Sequence, residues 1–350
     1  MPVTRFIPGY PIATSPMPYY NELEHLAKHF KAVLIVVEPH ELEYDPNEWE
    51  KLGVDFLHIP VRDFTAPHLL DLYRGVRWID RFVKRGQKVL IHCYGGLGRS
   101  GTFAAAYLIY RGLNWTEAIT RVRRVVYRAI EIQEQIQILR TFDMLMKALP
   151  EPKISVVFDF GAKYNFGKGL PHASKVTQLA IELWDGFSNY LNLPRFSLAS
   201  LAVAGILHDI GRKLDDLNYH IESYRVISSS NELKKVLGEE ITKTASLAVL
   251  YHQIEFKTRK RDSEVSENLV DLAMKLAGII RIADGLDSSL NQSIKNLRIE
   301  KTRNSFTIGV IPDSIKPYKI DIAQANEKKF LLEKILKKTI HIVPRFYYEF

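Results

Sequence analysis

Residues 88–102 read KVLIHCYGGLGRSGT, and the fold of the first half of the chain turns on them. Lys88 to His92 is a short apolar run that predicts a buried strand. It leads into the loop Cys93-Tyr94-Gly95-Gly96-Leu97-Gly98-Arg99-Ser100-Gly101 and then into an alanine-rich stretch that predicts a helix over 99–111. Strand, glycine-rich turn and helix start together make a cup for an oxyanion. The glycines let successive backbone N–H groups converge on one point, and the helix N-terminus adds partial positive charge.

Outward from this loop, Ala32 to Val37 and Phe56 to Val61 are further apolar runs that predict strands. Helical patterns cover 21–30, 68–85, 116–127 and 132–146. Alternation of this kind predicts an α/β domain, a mostly parallel sheet flanked by helices, over residues 1–150. Pro150 and Pro152 then interrupt the pattern, since neither supports a continuing helix. Over 153–350 strand signals nearly vanish. Helices are predicted at 171–191, 197–208, 223–237, 242–252 and 268–288, an all-α domain closed by a small β-hairpin tail (297–300 and 306–311) and a final helix from about Ala325.

The chain has 350 residues, which suggests two cores. It carries a net charge of +8, which attracts anions without choosing among them. A single cysteine excludes an internal disulfide, and a working thiol requires reducing surroundings. With no long apolar run and no signal-type N-terminus, a cytoplasmic protein without membrane contact is expected. No aromatic-and-basic recognition motif calls for nucleic acid as a partner.

The loop also carries chemistry. The field that holds a phosphate favours a thiolate, which makes Cys93 the expected nucleophile. Arg99, six residues on, is suited to grip two phosphate oxygens at once. Ser100 is placed to hydrogen-bond the sulfur when it leaves a cysteinyl-phosphate. Asp63, after a strand in Val61-Arg62-Asp63-Phe64-Thr65-Ala66-Pro67, is the expected general acid for the departing ester oxygen.

Residues 92–102 resemble the H-C-x5-R-[ST]-G signature of the protein tyrosine and dual-specificity phosphatases, and the resemblance extends over about residues 1–148. It implies a cysteine phosphatase of the compact dual-specificity branch. Cys93 would be the nucleophile, and phosphate would be bound by Arg99 and the amides of Tyr94, Gly95, Gly96, Leu97 and Gly98, with Ser100 assisting and Asp63 as acid. No cofactor is implied for this half, and the substrates would be phosphoproteins or small phosphoesters. The stretch 129–135 is similar to the one that positions a hydrolytic water in some members, with Gln135 the choice and Gln133 its rival.

In the second half, His208-Asp209 ends an apolar helix, His172 starts another, and Asp284 lies in Arg281-Ile282-Ala283-Asp284-Gly285-Leu286-Asp287. Two imidazoles and two carboxylates from separate helices suit Mn, Fe, Co, Ni, Zn or Mg, and an ion there would activate water. Over about residues 160–345 this set resembles the HD superfamily of metal-dependent phosphohydrolases. The finer similarity is to the C-terminal helical domain of the exopolyphosphatase/guanosine pentaphosphate phosphatase family. It implies one ion held by His172, His208, Asp209 and Asp284, with His220 and His252 candidates for a second. It also implies turnover of a nucleotide or polyphosphate-like substrate, or else a non-catalytic metal- or nucleotide-binding module that controls the phosphatase. His25, His29, His40, His58 and His68 have no partner set in the sequence and are read as structural.

Overall fold

A computed structural model describes residues 3–253 and 266–346. By packing, the chain divides into residues 1–143 and 144–350.

The first unit is built on β1 (Arg5–Phe6), β2 (Ile12–Ser15), α1 (Leu23–Ala27), β3 (Ala32–Ile35), α2 (Asn47–Lys51) and β4 (Asp55–His58). Then come α3 (Leu69–Val83), β5 (Val89–His92), α4 (Gly98–Tyr110), α5 (Trp115–Val125) and α6 (Gln133–Ala148). The sheet order is β1-β2-β5-β3-β4; only β1 runs antiparallel to its neighbour. Strands β3 and β5 are buried along their whole length, which explains why they read as unbroken apolar runs rather than alternating ones. Since β5 is central, its carboxyl end is a crevice between two parallel neighbours, the usual place for a ligand in an open α/β sheet. The phosphatase-type α/β architecture expected for this half is the one observed. Strands β1 and β2, two and four residues long, were not anticipated; runs this short have no readable period.

The second unit begins with α7 (Lys153–Lys163), also unanticipated, followed by α8 (Leu170–Phe187), α9 (Ser197–Leu207), α10 (Tyr219–Ser229), α11 (Asn231–Leu237), α12 (Glu239–Tyr251) and α13 (Glu267–Gly285). The single helix expected over 223–237 is two. Ser230, in extended conformation, accepts a hydrogen bond on its hydroxyl from the Leu233 amide and so caps α11.

The expected all-α domain with a hairpin tail needs correction. β6 (Ile294–Lys301) and β7 (Ser305–Pro312) do form the antiparallel pair. After α14 (Lys319–Lys328) and α15 (Phe330–Leu336), however, β8 (Thr339–Pro344) joins β7 in parallel and makes a three-stranded sheet. The stretch Thr339-Ile340-His341-Ile342 alternates polar and apolar residues; Ile340 and Ile342 are buried. This period-2 signal was present in the sequence. No helix among the described residues is long and apolar enough to cross a membrane.

One buried carboxylate organises the link between helices and sheet. Asp321 on α14 accepts hydrogen bonds from the Ser288 hydroxyl (3.2 Å), the Ser289 amide (2.8 Å) and hydroxyl (2.9 Å), and the Ser293 hydroxyl (2.5 Å). It thereby fixes the loop between α13 and β6. Asp321→Ala would leave the buried Ser293 hydroxyl and the part-buried Ser288 and Ser289 donors without their acceptor, so chemical denaturation should show a loss of about 2–4 kcal/mol in the stability of the second unit.

Candidate functional site

In the first unit, β5 delivers Cys93 to the crevice and α4 starts five residues later. Cys93 is buried; its Sγ accepts a hydrogen bond from the Gly96 amide at 3.1 Å and lies 3.3 Å from the Ser100 hydroxyl. Gly96 has φ +73°, and a Cβ there would stand 2.5 Å from the Pro16 nitrogen. Only glycine lets the loop press onto the 15–16 backbone and turn its amide toward sulfur. Gly95, by contrast, faces open space. The Tyr94 side chain points to solvent, while its carbonyl accepts from the Met17 amide. The Leu97 carbonyl accepts from Gly101 and Ile130, tying the loop to the segment before α6.

Arg99 is only 2% exposed. Its guanidinium makes a two-pronged pair with Glu41 (2.5 and 2.9 Å), donates to the Val61 carbonyl (2.9 Å) and lies 3.1 Å from Asp63. Burial by itself would raise the Glu41 carboxyl, but the Arg99 hydrogen bond and charge outweigh it and hold it below its ordinary value. Asp63 remains half exposed, in a loop whose next residue, Phe64, has φ +50° with its ring in solvent. The structure therefore brings Cys93, Arg99, Ser100 and Asp63 to one place.

Gln135 is buried and spans the acid loop and the segment before α6. Its amide nitrogen donates to the Thr65 carbonyl (3.1 Å) and its oxygen accepts from the Glu131 amide (2.8 Å). Gln133 is exposed. Both hydrogen bonds of Gln135 go to backbone, so in this state it ties down the acid loop.

Behind the nucleophile lies a buried chain. Trp49 Nε1 donates to the Tyr44 hydroxyl (3.0 Å), which donates to His92 Nε2 (2.6 Å). Burial lowers His92 to about 4, so the ring is neutral and acts as acceptor. Glu41 and Tyr44 were not singled out from the sequence. Their segment, His40-Glu41-Leu42-Glu43-Tyr44, has no periodicity, and its role depends on a contact 58 residues away. His58 has a structural role, hydrogen-bonded to the Val37 carbonyl at 2.8 Å.

In the second unit, His172 on α8, His208 and Asp209 after α9, and Asp284 on α13 converge, all buried. The Nε2 atoms of His172 and His208 are 3.2 Å apart. His172 Nε2 lies 3.6 Å from Asp209 and 3.4 Å from Asp284; His208 Nε2 lies 3.6 and 3.9 Å from the same two carboxylates. Each ring spends its other N–H on an oxygen: His172 Nδ1 donates to Asp287 (2.8 Å) and His208 Nδ1 to the Gly205 carbonyl (2.9 Å). Two neutral rings so oriented would aim both lone pairs at one point, an arrangement that calls for a cation or proton between them. Both oxygens of Asp209 and Nε2 of His252 are buried without a hydrogen-bond partner. This donor set fits a divalent ion, and the ligand atoms of His172, His208 and Asp209 lie within 4.8 Å of one another.

Charges here are strongly coupled. Burial would raise Asp209 and Asp284, but neighbouring histidines and lysines win: Asp209 falls to about 2 through His208 and Lys168, and Asp284 lies well below the usual range through His172, Lys328 and Lys168. Burial lowers His208, whereas for His172 the hydrogen bonds to Asp284 and Asp287 overcome burial and raise it. His252 is driven to about 3 by burial, then by His208; its ring lies 5.6 Å from that of His208. His220 is not brought into the cluster; its ring stacks edge-on to Tyr219 at 5.7 Å, and Tyr219 in turn meets His252. Lys168, Lys328 and Asp287 were not singled out as site residues from the sequence. For Asp287 the spacing of three from Asp284 was an available signal.

A family profile described as "Polymorphic toxin system, DSP-PTPase phosphatase" matches residues 11–113. "Phosphatidylglycerophosphatase and protein-tyrosine phosphatase 1" of Rattus norvegicus is 33% identical over 123 residues, covering 33% of this chain and 63% of that protein. "Tyrosine-protein phosphatase cdcA" of Emericella nidulans is 34% identical over 110 residues, 31% of this chain and 18% of that protein. The chain thus spans less than two thirds of the length of these curated relatives. A solved structure, Tk-PTP in the active form, is 49% identical, covers 40% of this chain and 95% of its own, and superimposes with a TM-score of 0.39.

Two measurements follow from this geometry. Glu41→Gln removes the charge that holds the guanidinium, so KM for an aryl phosphate should rise about tenfold, roughly the 1.4 kcal/mol of one charge-assisted hydrogen bond, with a smaller change in kcat. His92, at about 4 in the fold against 6.5 when free, gives a stability contribution that is intact above pH 6.5 and lost as pH falls toward 4. Denaturation midpoints of the first unit should decline across that window, and His92→Gln, which cannot titrate, should flatten the decline.

Proposed function

We propose that the chain, whose N-terminal unit belongs to the protein tyrosine and dual-specificity phosphatases, hydrolyses phosphomonoesters through a phosphocysteine at Cys93. The observation that carries this reading is the Cys93 sulfur held by the Gly96 amide and beside the Ser100 hydroxyl, with the Arg99 guanidinium at the same loop. In the first step sulfur attacks phosphorus, the ester P–O bond breaks, and the Asp63 carboxyl gives its proton to the departing oxygen. Arg99 and the loop amides take the charge on the equatorial oxygens. In the second step water attacks phosphorus, the S–P bond breaks, Asp63 takes the water's proton, and the Ser100 hydroxyl hydrogen-bonds the leaving sulfur. Gln135, by fastening the Thr65 carbonyl, sets where the acid loop closes.

The rat relative's name covers a lipid phosphate and a protein phosphotyrosine, both phosphomonoesters. The reading for this chain is accordingly a phosphoprotein or small phosphoester, with no metal required.

For the second unit we infer an HD-type phosphohydrolase centre. His172, His208, Asp209 and Asp284 would hold one divalent ion, which would supply Lewis-acid polarisation and an activated water. Asp287 and the Gly205 carbonyl orient the two imidazoles, and the buried ring of His252 lies 5.6 Å from that of His208. The substrate read for it is a nucleotide or polyphosphate-like phosphate.

One screen tests both halves. Phosphopeptides, phospholipid monoesters, nucleotides and polyphosphate are offered with and without divalent ions to the wild type, Cys93→Ser and His208→Ala. Cys93→Ser should lower metal-independent aryl phosphate hydrolysis by more than about 10³-fold and leave any metal-dependent release unchanged. Full metal-independent activity in Cys93→Ser would overturn the first assignment. Absence of both bound metal and metal-stimulated release in the wild type would overturn the second.

A further inference from the structure

Around the two carboxylates of the second centre, five charges alternate in a row. Lys328 on α14 bonds Asp284 Oδ2 at 2.6 Å. Lys168 stands between the two acids, 3.6 Å from Asp284 Oδ1 and 3.2 Å from Asp209 Oδ2. Arg212 closes the row with its Nε 3.2 Å from Asp209 Oδ2. The acids are buried, whereas Lys168, Lys328 and Arg212 are 23%, 26% and 21% exposed. The cations thus lie between the buried centre and water.

Lys168 is held there by design of the backbone. Gly167, with φ +72°, packs so tightly that a Cβ would come within 2.2 Å of the Asp209 carbonyl oxygen. The chain just before α8 is thereby pinned to Asp209, and Lys168 with it. Arg212 is pinned in another way, its guanidinium lying 3.6 Å over the Tyr219 ring.

The atoms that Lys168 touches, Asp209 Oδ2 and Asp284 Oδ1, are the same ones that face the two histidine Nε2 atoms, while Lys328 holds the other oxygen of Asp284. One carboxylate oxygen cannot serve an ammonium and a divalent ion at full strength, so the two compete. We propose that Lys168 and Lys328 are anion-binding residues held in reserve: they neutralise Asp209 and Asp284 in the resting centre and turn to a phosphate-type oxyanion when a divalent cation takes those carboxylates. The inference rests on the reading of His172, His208, Asp209 and Asp284 as ligands. The buried Asp209 Oδ1 and His252 Nε2, which have no hydrogen-bond partner, are an independent sign that the cluster is built for a further group.

This assigns the centre a sign of coupling that a purely structural lysine lacks. Cation and anion must each tighten the other, because the dication frees the ammonium groups and the anion keeps them from returning. Removal of a lysine must strengthen cation binding while weakening the anion's effect on it. An ordinary stabilising ion pair would give the first effect without the second.

The test is calorimetric titration of Mn²⁺ into the full chain, with and without inorganic phosphate, for the wild type, Lys168→Gln, Lys328→Gln, the double variant and His208→Ala. Phosphate should tighten Mn²⁺ binding by the wild type. Each lysine variant should bind Mn²⁺ about tenfold more tightly than wild type in phosphate-free buffer, and the double variant should lose the phosphate effect. Lysine variants that bind Mn²⁺ no more tightly than wild type, or a phosphate effect that survives in the double variant, would overturn the proposal while His208→Ala still marks the centre as a metal site. Should no protein exceed the His208→Ala baseline, the ligand assignment fails and takes the proposal with it. The phosphate dependence of the wild type alone decides the matter if a variant does not fold: its absence refutes the coupling.

Discussion

A guanidinium that is almost wholly withdrawn from water must find its partners inside the protein, and in the first unit Arg99 finds them in three places at once. Glu41 comes from the turn after β3, the Val61 carbonyl and Asp63 from the segment after β4, and Arg99 itself from the first turn of α4. One buried cation thus ties three chain segments at the carboxyl ends of the parallel strands. The arrangement is strict because leaving such a charge unpaired would cost several kcal/mol. It also holds the guanidinium in one place, which is what electrostatic preorganisation of an oxyanion site requires.

The second unit solves the complementary problem. Here buried carboxylates need cations, and the fold draws them from a loop, a short turn and a late helix. In the first unit the cation is the buried partner and Asp63 reaches the solvent; in the second the anions are buried and the cations reach it.

The loop around Cys93 was legible because its function dictates its sequence: a glycine is forced at 96 by the backbone of Ser15 and Pro16, and sulfur, hydroxyl and guanidinium must follow at set distances along one turn. His208, Asp209, His172 and Asp284 were legible as polar residues at the ends of apolar helices. Glu41, Tyr44, Lys168 and Lys328 were not, since lysines and glutamates are common on surfaces and only the folded chain shows which of them turn inward. The tail misled because a hairpin pattern is local, whereas the pairing of β8 with β7 spans two intervening helices. His220 shows the limit of motif transfer, since it follows a recognisable stretch yet packs against Tyr219 instead of joining the cluster.

Helix α14 carries two residues seven positions apart, Asp321 and Lys328, and two turns of helix bring such a pair to the same side. One clasps the serine loop that leaves α13; the other reaches Asp284 within α13. A segment that reads as a peripheral tail therefore supplies a cation to the buried Asp284. Trimming the protein ahead of residue 319 in search of a minimal helical domain would remove that cation together with the carboxylate that clasps the serine loop.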